Sequence, residues 1–161
     1  MKTVTRLFAL STLALALAAC GKKEETPAQP AEAAALSAPA DTDDAAWKKY
    51  LTDVVTRNMG EITNAPFVYY IPANADQGAY ERQLEQSSNA IARGVTRGNM
   101  VAYGSPDSTR IADMAVASFA KAEAGTFKGV RVLFVGAAAD QDRVKTAVEP
   151  SGADFVFVEA K

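Results

Sequence analysis

Beyond residue 44 the apolar positions follow a helical period first and strand-like runs afterwards. Apolar residues spaced i, i+3, i+4 and i+7 predict an amphipathic helix that begins at Asp43 or Asp44, and Gly60 is placed to end it. Short continuous apolar runs then alternate with further helical patterns. The predicted strands cover residues 67–71, 100–103, 130–135 and 155–158, and the later helices cover residues 76–93, 106–122 and 140–148.

The order of these elements predicts the class of the fold. Strands that are apolar without alternation indicate a sheet covered on both faces, and helices between them indicate parallel neighbours. We therefore expect an α/β fold, a small three-layer domain with a mostly parallel sheet of about four strands. The domain is expected to cover residues 45–161, which is long enough to bury a core of its own.

Residues 20–44 have the composition of a linker. They contain several prolines and many alanines, no aromatic residue, and Leu36 as the single large apolar side chain. Such a segment cannot bury enough surface to offset the entropy lost on ordering, so it predicts a disordered tether before the domain. The alternative is that the alanine-rich residues 31–35 dock on a partner as a short helix.

The N-terminal residues have a third pattern. Lys2 and Arg6 precede a mostly apolar run over residues 7–17, and two alanines then lead to Cys20, the only cysteine. The run is shorter than the roughly 20 apolar residues that a membrane-spanning helix needs. A positive start, a short apolar run and small residues before a cut are typical of a cleaved secretory signal. The stretch Leu17-Ala18-Ala19-Cys20 resembles the lipobox of bacterial lipoprotein signal peptides.

This resemblance implies a processed and lipidated protein. Residues 1–19 would be removed, and Cys20 would become the N-terminus with a thioether diacylglycerol and an amide-linked acyl chain. Several acyl chains together anchor a protein to a bilayer far more firmly than one. In this family an aspartate just after the cysteine often retains the protein at the inner membrane, and Gly21 stands there instead. The resemblance therefore implies the periplasmic face of the outer membrane.

Composition narrows the range of functions. The chain has a formal net charge of −2, and loss of Lys2 and Arg6 makes the mature protein more acidic, which argues against a nucleic-acid partner. The chain contains no histidine and no second cysteine, so neither a Ser-His-Asp nor a Cys-His arrangement can form. It also lacks a Gly-x-Ser-x-Gly elbow and a glycine-rich phosphate loop. We predict no catalytic residue, no cofactor and no metal.

The most suggestive polar cluster follows the second predicted strand. Ligands of parallel sheets bind beyond the carboxyl ends of the strands, near the point where the strand order reverses. Here Gly104 allows a sharp turn, Ser105 is expected to cap the next helix, and Pro106 suits its first position. Exposed amides at a helix start can hold an anion together with nearby polar side chains. The candidate anion-binding residues are Ser105, Ser108, Thr109 and Arg110.

Alternatives to ligand binding exist at each of these turns. The segment after Gly104 also fits a well-capped helix start with nothing bound, and the charge of Asp107 would compete with an anion. Asn74 or Asp76 is expected to cap the second helix, and Asp140 the last one. Counted from Asp140, the positions that a calcium loop reserves for glycine and glutamate hold lysine and serine, which argues against a metal site.

These features together favour a binding protein over an enzyme. An anchor, a tether and the lack of catalytic motifs indicate a membrane-anchored accessory module that binds an envelope protein. One alternative is a module for a small anionic ligand at the carboxyl ends of the strands. Another is an inhibitor or immunity lipoprotein that acts on an envelope-targeting enzyme.

Overall fold

The computed structural model describes residues 34–161, and Cys20 with the predicted lipobox lies outside the described residues. Helices and strands alternate in the predicted order, with ends that differ from the prediction by a few residues. The helices are α1 (Asp44–Asn58), α2 (Gln77–Arg93), α3 (Ser108–Phe119) and α4 (Ala138–Val148). The strands are β1 (Phe67–Tyr70), β2 (Met100–Gly104), β3 (Arg131–Gly136) and β4 (Asp154–Glu159). The α/β prediction is therefore confirmed.

The four strands form one sheet in the order β1-β2-β3-β4, and every neighbouring pair is parallel. The prediction of a mostly parallel sheet is confirmed, and the strand order is new information. Because the strands lie side by side in chain order, the sheet has no point at which the order reverses. The crevice that such a reversal creates in other parallel sheets is therefore missing here.

The helices that connect consecutive strands all pack on the same face of the sheet. Connections of one hand between strands in sequential order lead to this arrangement. The buried side chains of α2, α3 and α4 form one core with the sheet residues that point toward them. Tyr103 of β2 and Phe134 of β3 lie at the centre of that core and are fully buried.

Helix α1 covers the opposite face. Its buried stripe packs over the two central strands, against Met100 and Ala102 of β2 and Leu133 and Val135 of β3. Asp43 begins the helix by accepting a hydrogen bond from the Ala46 N–H at 2.7 Å, as the sequence predicted. The stripe consists of Trp47, Tyr50, Leu51, Val54 and Val55.

Gly104 has a different role from the one predicted. Its backbone is not in the left-handed region, so the turn after β2 does not require glycine for its conformation. A Cβ atom at this position would instead lie 2.6 Å from Cδ1 of Leu51 in α1. Gly104 is therefore needed because it lets α1 approach the sheet closely at this point.

Residues 36–41 form a segment without helix or strand that packs against the domain, and we call it the N-terminal segment. The N–H of Leu36 donates to the Asp53 carboxylate at 3.1 Å, and the N–H of Ala38 donates to the Lys161 carbonyl at 2.8 Å. Trp47 Nε1 donates to the carbonyl of Asp41 at 2.7 Å. The sequence analysis placed these residues in the tether because they have few large side chains, but they are held mainly through their backbone groups.

We predict that Gly104→Ala lowers the free energy of unfolding by about 1–3 kcal/mol, because the added methyl overlaps the Leu51 side chain. Urea unfolding followed through the fluorescence of Trp47, the single tryptophan, measures this. Gly78→Ala is the matched control, since its new methyl would lie 3.3 Å from the flexible end of Arg82 and at an ordinary contact distance of 3.5 Å from Asp76 Oδ1, near the start of α2. In a Leu51→Ala background the cost of Gly104→Ala should fall, and full additivity would contradict the contact.

Candidate functional site

The turns that follow β1, β2 and β3 lie together at the carboxyl ends of the parallel strands, which we call the carboxyl edge. Ser105 begins the middle turn and is 1% exposed. Its hydroxyl donates to the Ile71 carbonyl at 2.7 Å and accepts a hydrogen bond from the Asp107 N–H at 3.0 Å. Ser105 therefore connects the end of β1 to the turn after β2, and it points away from solvent.

The helix start in this turn differs from the prediction. Asp107 is the N-terminal cap of α3, because its carboxylate accepts the Arg110 N–H at 3.0 Å. Ser105 is therefore not the cap, and Pro106 precedes the helix. A carboxylate is favoured at a helix start because it satisfies free N–H groups and offsets the positive end of the helix dipole. It also places a negative charge where the predicted anion would sit.

Ser108 joins two turns that are far apart in the sequence. Its hydroxyl donates to Asp140 Oδ2 at 2.5 Å and accepts the Ala137 N–H at 2.7 Å. The prediction that Asp140 caps α4 is therefore wrong. Asp140 lies in the first turn of the helix, and the residue at the cap position, Ala137, makes no side-chain hydrogen bond to the helix. Gly136 makes room for the contact, since a Cβ atom there would lie 2.7 Å from the Ser108 hydroxyl.

Arg110 and Thr109 have different surroundings. The Arg110 guanidinium donates to the Ala75 carbonyl at 2.8 Å and lies 4.9 Å from the centre of the Tyr80 ring. Arg110 therefore holds the turn after β1, while the side chain of Thr109 is exposed to solvent. The structure brings the four predicted residues to one edge but directs three of them into contacts within the protein.

Arg143 of α4 completes this network, and the sequence analysis did not identify it. Its guanidinium contacts Asp140 at 2.8 Å and Asp113 at 2.5 Å, and it donates to the Thr109 carbonyl at 2.9 Å. Burial acts to lower the pKa of Arg143, but the hydrogen bonds to both carboxylates outweigh it and raise that pKa. Arg143 is thus paired with two carboxylates, and the hydroxyls of Ser105 and Ser108 already donate their protons to carbonyl or carboxylate oxygens.

A hollow of about 360 Å³ lies at the carboxyl edge beside this network. Ser105, Ser108 and Gly136 line one side, and Trp47 and residues 38–40 of the N-terminal segment line the other. Lys161 also lines the hollow, and its ammonium contacts the Glu159 carboxylate at 2.5 Å. The hydroxyls of the two serines and the indole N–H of Trp47 are all engaged in hydrogen bonds. The predicted anion site remains a prediction, and these contacts leave few hydrogen-bond donors available to an anion.

A second depression lies on the α1 face of the sheet, between α1 and the edge strand β1, and we call it the α1–β1 groove. Its volume is about 340 Å³. The residues that line it are mostly apolar, and Val68 of β1 is 43% exposed beside it. Its lining comprises Lys48, Leu51, Thr52, Val55, Thr56, Met59, Pro66, Val68 and Tyr70.

One end of the α1–β1 groove carries polar groups. Lys48 Nζ contacts the Asp44 carboxylate at 2.6 Å and lies 5.6 Å from the centre of the Tyr70 ring. Burial first, and the neighbouring Asp44 second, raise the pKa of the Tyr70 hydroxyl well above its usual value. Both that hydroxyl and Asp44 Oδ1 are buried, and hydrogen bonding between the two side chains contributes to the raised pKa of Tyr70 and, after the hydrogen bond from Lys48, to the lowered pKa of Asp44. The groove thus combines an apolar floor with a polar end at which Lys48 and Tyr70 lie beside Asp44.

Comparison with known proteins adds no assignment: no family model, no curated protein and no solved structure matches this chain. Among the helices of residues 34–161, none has the length and apolar character needed to cross a bilayer.

We predict that Ser108→Ala lowers the free energy of unfolding by about 1–3 kcal/mol, because it leaves Asp140 and the Ala137 N–H without their shared partner. Thr109→Ala, one residue further along α3, is the control and should change stability by less than about 0.5 kcal/mol. Urea unfolding of both variants measures the difference. Equal effects of the two substitutions would contradict the structural role of Ser108.

Proposed function

We propose that this protein is a membrane-anchored, non-catalytic module that binds an envelope protein through the α1–β1 groove. The observation that carries the proposal is the open apolar groove beside an edge strand of the sheet. Val68 is 43% exposed there, and Phe67, the preceding residue of the same edge strand on the opposite face of the sheet, is 45% exposed. Exposed apolar side chains beside a concave surface are typical of sites that another molecule covers.

The contrast between the two depressions supports the choice of surface. At the carboxyl edge Ser105, Ser108 and Arg110 are engaged in hydrogen bonds that connect neighbouring turns. In the α1–β1 groove the buried side chains of Leu51 and Val55 form the floor, and the exposed side chain of Val68 and the half-buried one of Met59 are available to a partner. The groove therefore supports protein binding better than the carboxyl edge supports an anionic ligand.

The location of the module is proposed from the sequence. The lipobox resemblance of Leu17-Ala18-Ala19-Cys20, followed by Gly21, favours a lipid anchor at the periplasmic face of the outer membrane. An inhibitor or immunity lipoprotein is a special case of the same proposal, in which the bound envelope protein is an enzyme. The identity of the partner distinguishes this case from that of an accessory subunit.

The binding surface can be tested with two matched threonines. Thr52 at the groove and Thr146 on α4 are both exposed helix residues whose hydroxyls donate to the carbonyl four residues earlier at 2.7 Å. We predict that Thr52→Arg blocks the groove and abolishes partner binding, whereas Thr146→Arg retains it. The measurement is purification of the lipidated protein from crosslinked envelopes, with mass spectrometry of what accompanies it.

The expected result is one protein, recovered in near-equal amount with the wild type and with Thr146→Arg and lost with Thr52→Arg. Circular dichroism of both variants checks that the domain stays folded. Two results would overturn the proposal: no protein in comparable amount with the wild type, or equal recovery with Thr52→Arg.

The anchor is tested separately. We predict that Cys20→Ala prevents lipidation and moves the protein from the membrane fraction to the soluble periplasmic fraction, because the thiol is the site of diacylglycerol attachment in the lipobox family. The unfolding midpoint of the domain should not change. Fractionation of cells with and without the substitution measures this, and a membrane fraction that keeps the Cys20→Ala protein would contradict the proposed anchor.

A further inference from the structure

We infer that the α1–β1 groove takes an extended, uncharged segment of the partner protein, which pairs as an additional strand with the open edge of β1. This inference rests on the proposed function and specifies the chemistry of the partner. Within residues 34–161, β1 pairs with β2 alone. Alternate residues of an edge strand direct their N–H and C=O groups outward, where another strand can bind them.

The exposure of two consecutive residues supports a strand as the occupant. Phe67 and Val68 are 45% and 43% exposed, and successive side chains of a strand point to opposite faces of the sheet. Val68 lies at the groove, on the α1 face, whereas Phe67 is on the face of α2, α3 and α4. A helix or an acyl chain in the groove would cover only Val68. A strand beside β1 presents side chains to both faces and covers both residues.

The molecule already holds a segment without helix or strand on the other flank of α1. There the N-terminal segment, residues 36–41, donates a backbone N–H to the Lys161 carbonyl just after β4, and Ala38 packs on the α1-side core. The segment also donates the N–H of Leu36 to Asp53 of α1. The space between α1 and an outer strand thus accommodates a stretch of polypeptide held through its backbone N–H groups, and the α1–β1 groove is the corresponding space at β1.

The charges of the groove favour an uncharged segment. Lys48 is the only charged residue of the lining, and Asp44 neutralises it at 2.6 Å. A charged side chain would therefore lose hydration without gaining a partner.

The flanking residues limit how far the pairing extends. Pro66 precedes β1 and Pro72 follows Ile71, and neither has an N–H to offer. The strand itself has four residues. The inferred contact is therefore short, and it requires a partner segment of about five residues with uncharged apolar side chains at alternate positions.

The first step of the test identifies what lies in the groove. Benzoylphenylalanine replaces Thr56, an exposed residue of the groove rim, in the full lipidated chain inside cells. The same replacement at Thr146 is the control. After irradiation, mass spectrometry should find one segment of another protein attached at position 56 and not at position 146. Attachment to a lipid, or to a second copy of this chain, would overturn the inference.

The second step tests the pairing of the backbones. The crosslinked segment is synthesised in two forms, each N-methylated at one of the two sets of alternate residues, and its binding to the purified full chain is measured by fluorescence anisotropy. One form should bind about tenfold or more weakly, because its N–H groups face β1, and the other should bind within about twofold of the unmodified segment.

Equal affinities of the two forms would overturn strand pairing while leaving the proposed function intact. Failure of the proposed function gives a different experimental result, because then no protein accompanies the wild type in the envelope purification. The two failures are therefore distinguishable.

Discussion

One helix is narrower than a four-stranded sheet, and the arrangement of the face that α1 covers depends on this difference in width. Neighbouring strands are about 4.8 Å apart, so the outer strands lie about 14 Å from each other, whereas a helix with its side chains is about 10 Å wide. The sequential strand order places α2, α3 and α4 on the opposite face, so α1 alone covers this one. It packs on the central strands and leaves a space over each outer strand.

The two spaces beside α1 differ in what occupies them. The N-terminal segment fills the one near β4 and bonds to Asp53 and Lys161, whereas nothing within residues 34–161 fills the one near β1. Gly104 contributes to this difference, because the missing Cβ lets Leu51 descend onto the sheet. A helix seated closely on the central strands makes the spaces beside it deeper.

The local features of the fold could be predicted, but its long-range contacts could not. The order of helices and strands follows from periodicity, and the Asp43 and Asp76 caps follow from residue type beside a helix start.

In contrast, Ser105, Asp107 and Pro106 all suit a helix start, and only the hydrogen bond from Ser105 to the Ile71 carbonyl decides that Asp107 is the cap. The Ser108–Asp140 bond joins residues 32 apart, and no local pattern indicates it. Predicting the α1–β1 groove would have required the strand order, which the sequence does not specify. Val68 lies in an apolar run that resembles a buried strand, so nothing in that run indicates that β1 is at the edge of the sheet.

The inferred short pairing site and the proposed lipid anchor suit each other energetically. The edge offered by β1 is four residues long, and a hydrogen bond exchanged with water contributes only about 0.5–1.5 kcal/mol. A site of this kind binds weakly when the partner diffuses freely in solution, since association must also offset the loss of translational and rotational freedom. The proposed anchor would hold the module near a partner in the same envelope and raise its effective concentration there, so that a weak contact would suffice. The same weakness limits unwanted pairing of the β1 edge with other chains, because Pro66 and Pro72 restrict it to a few residues.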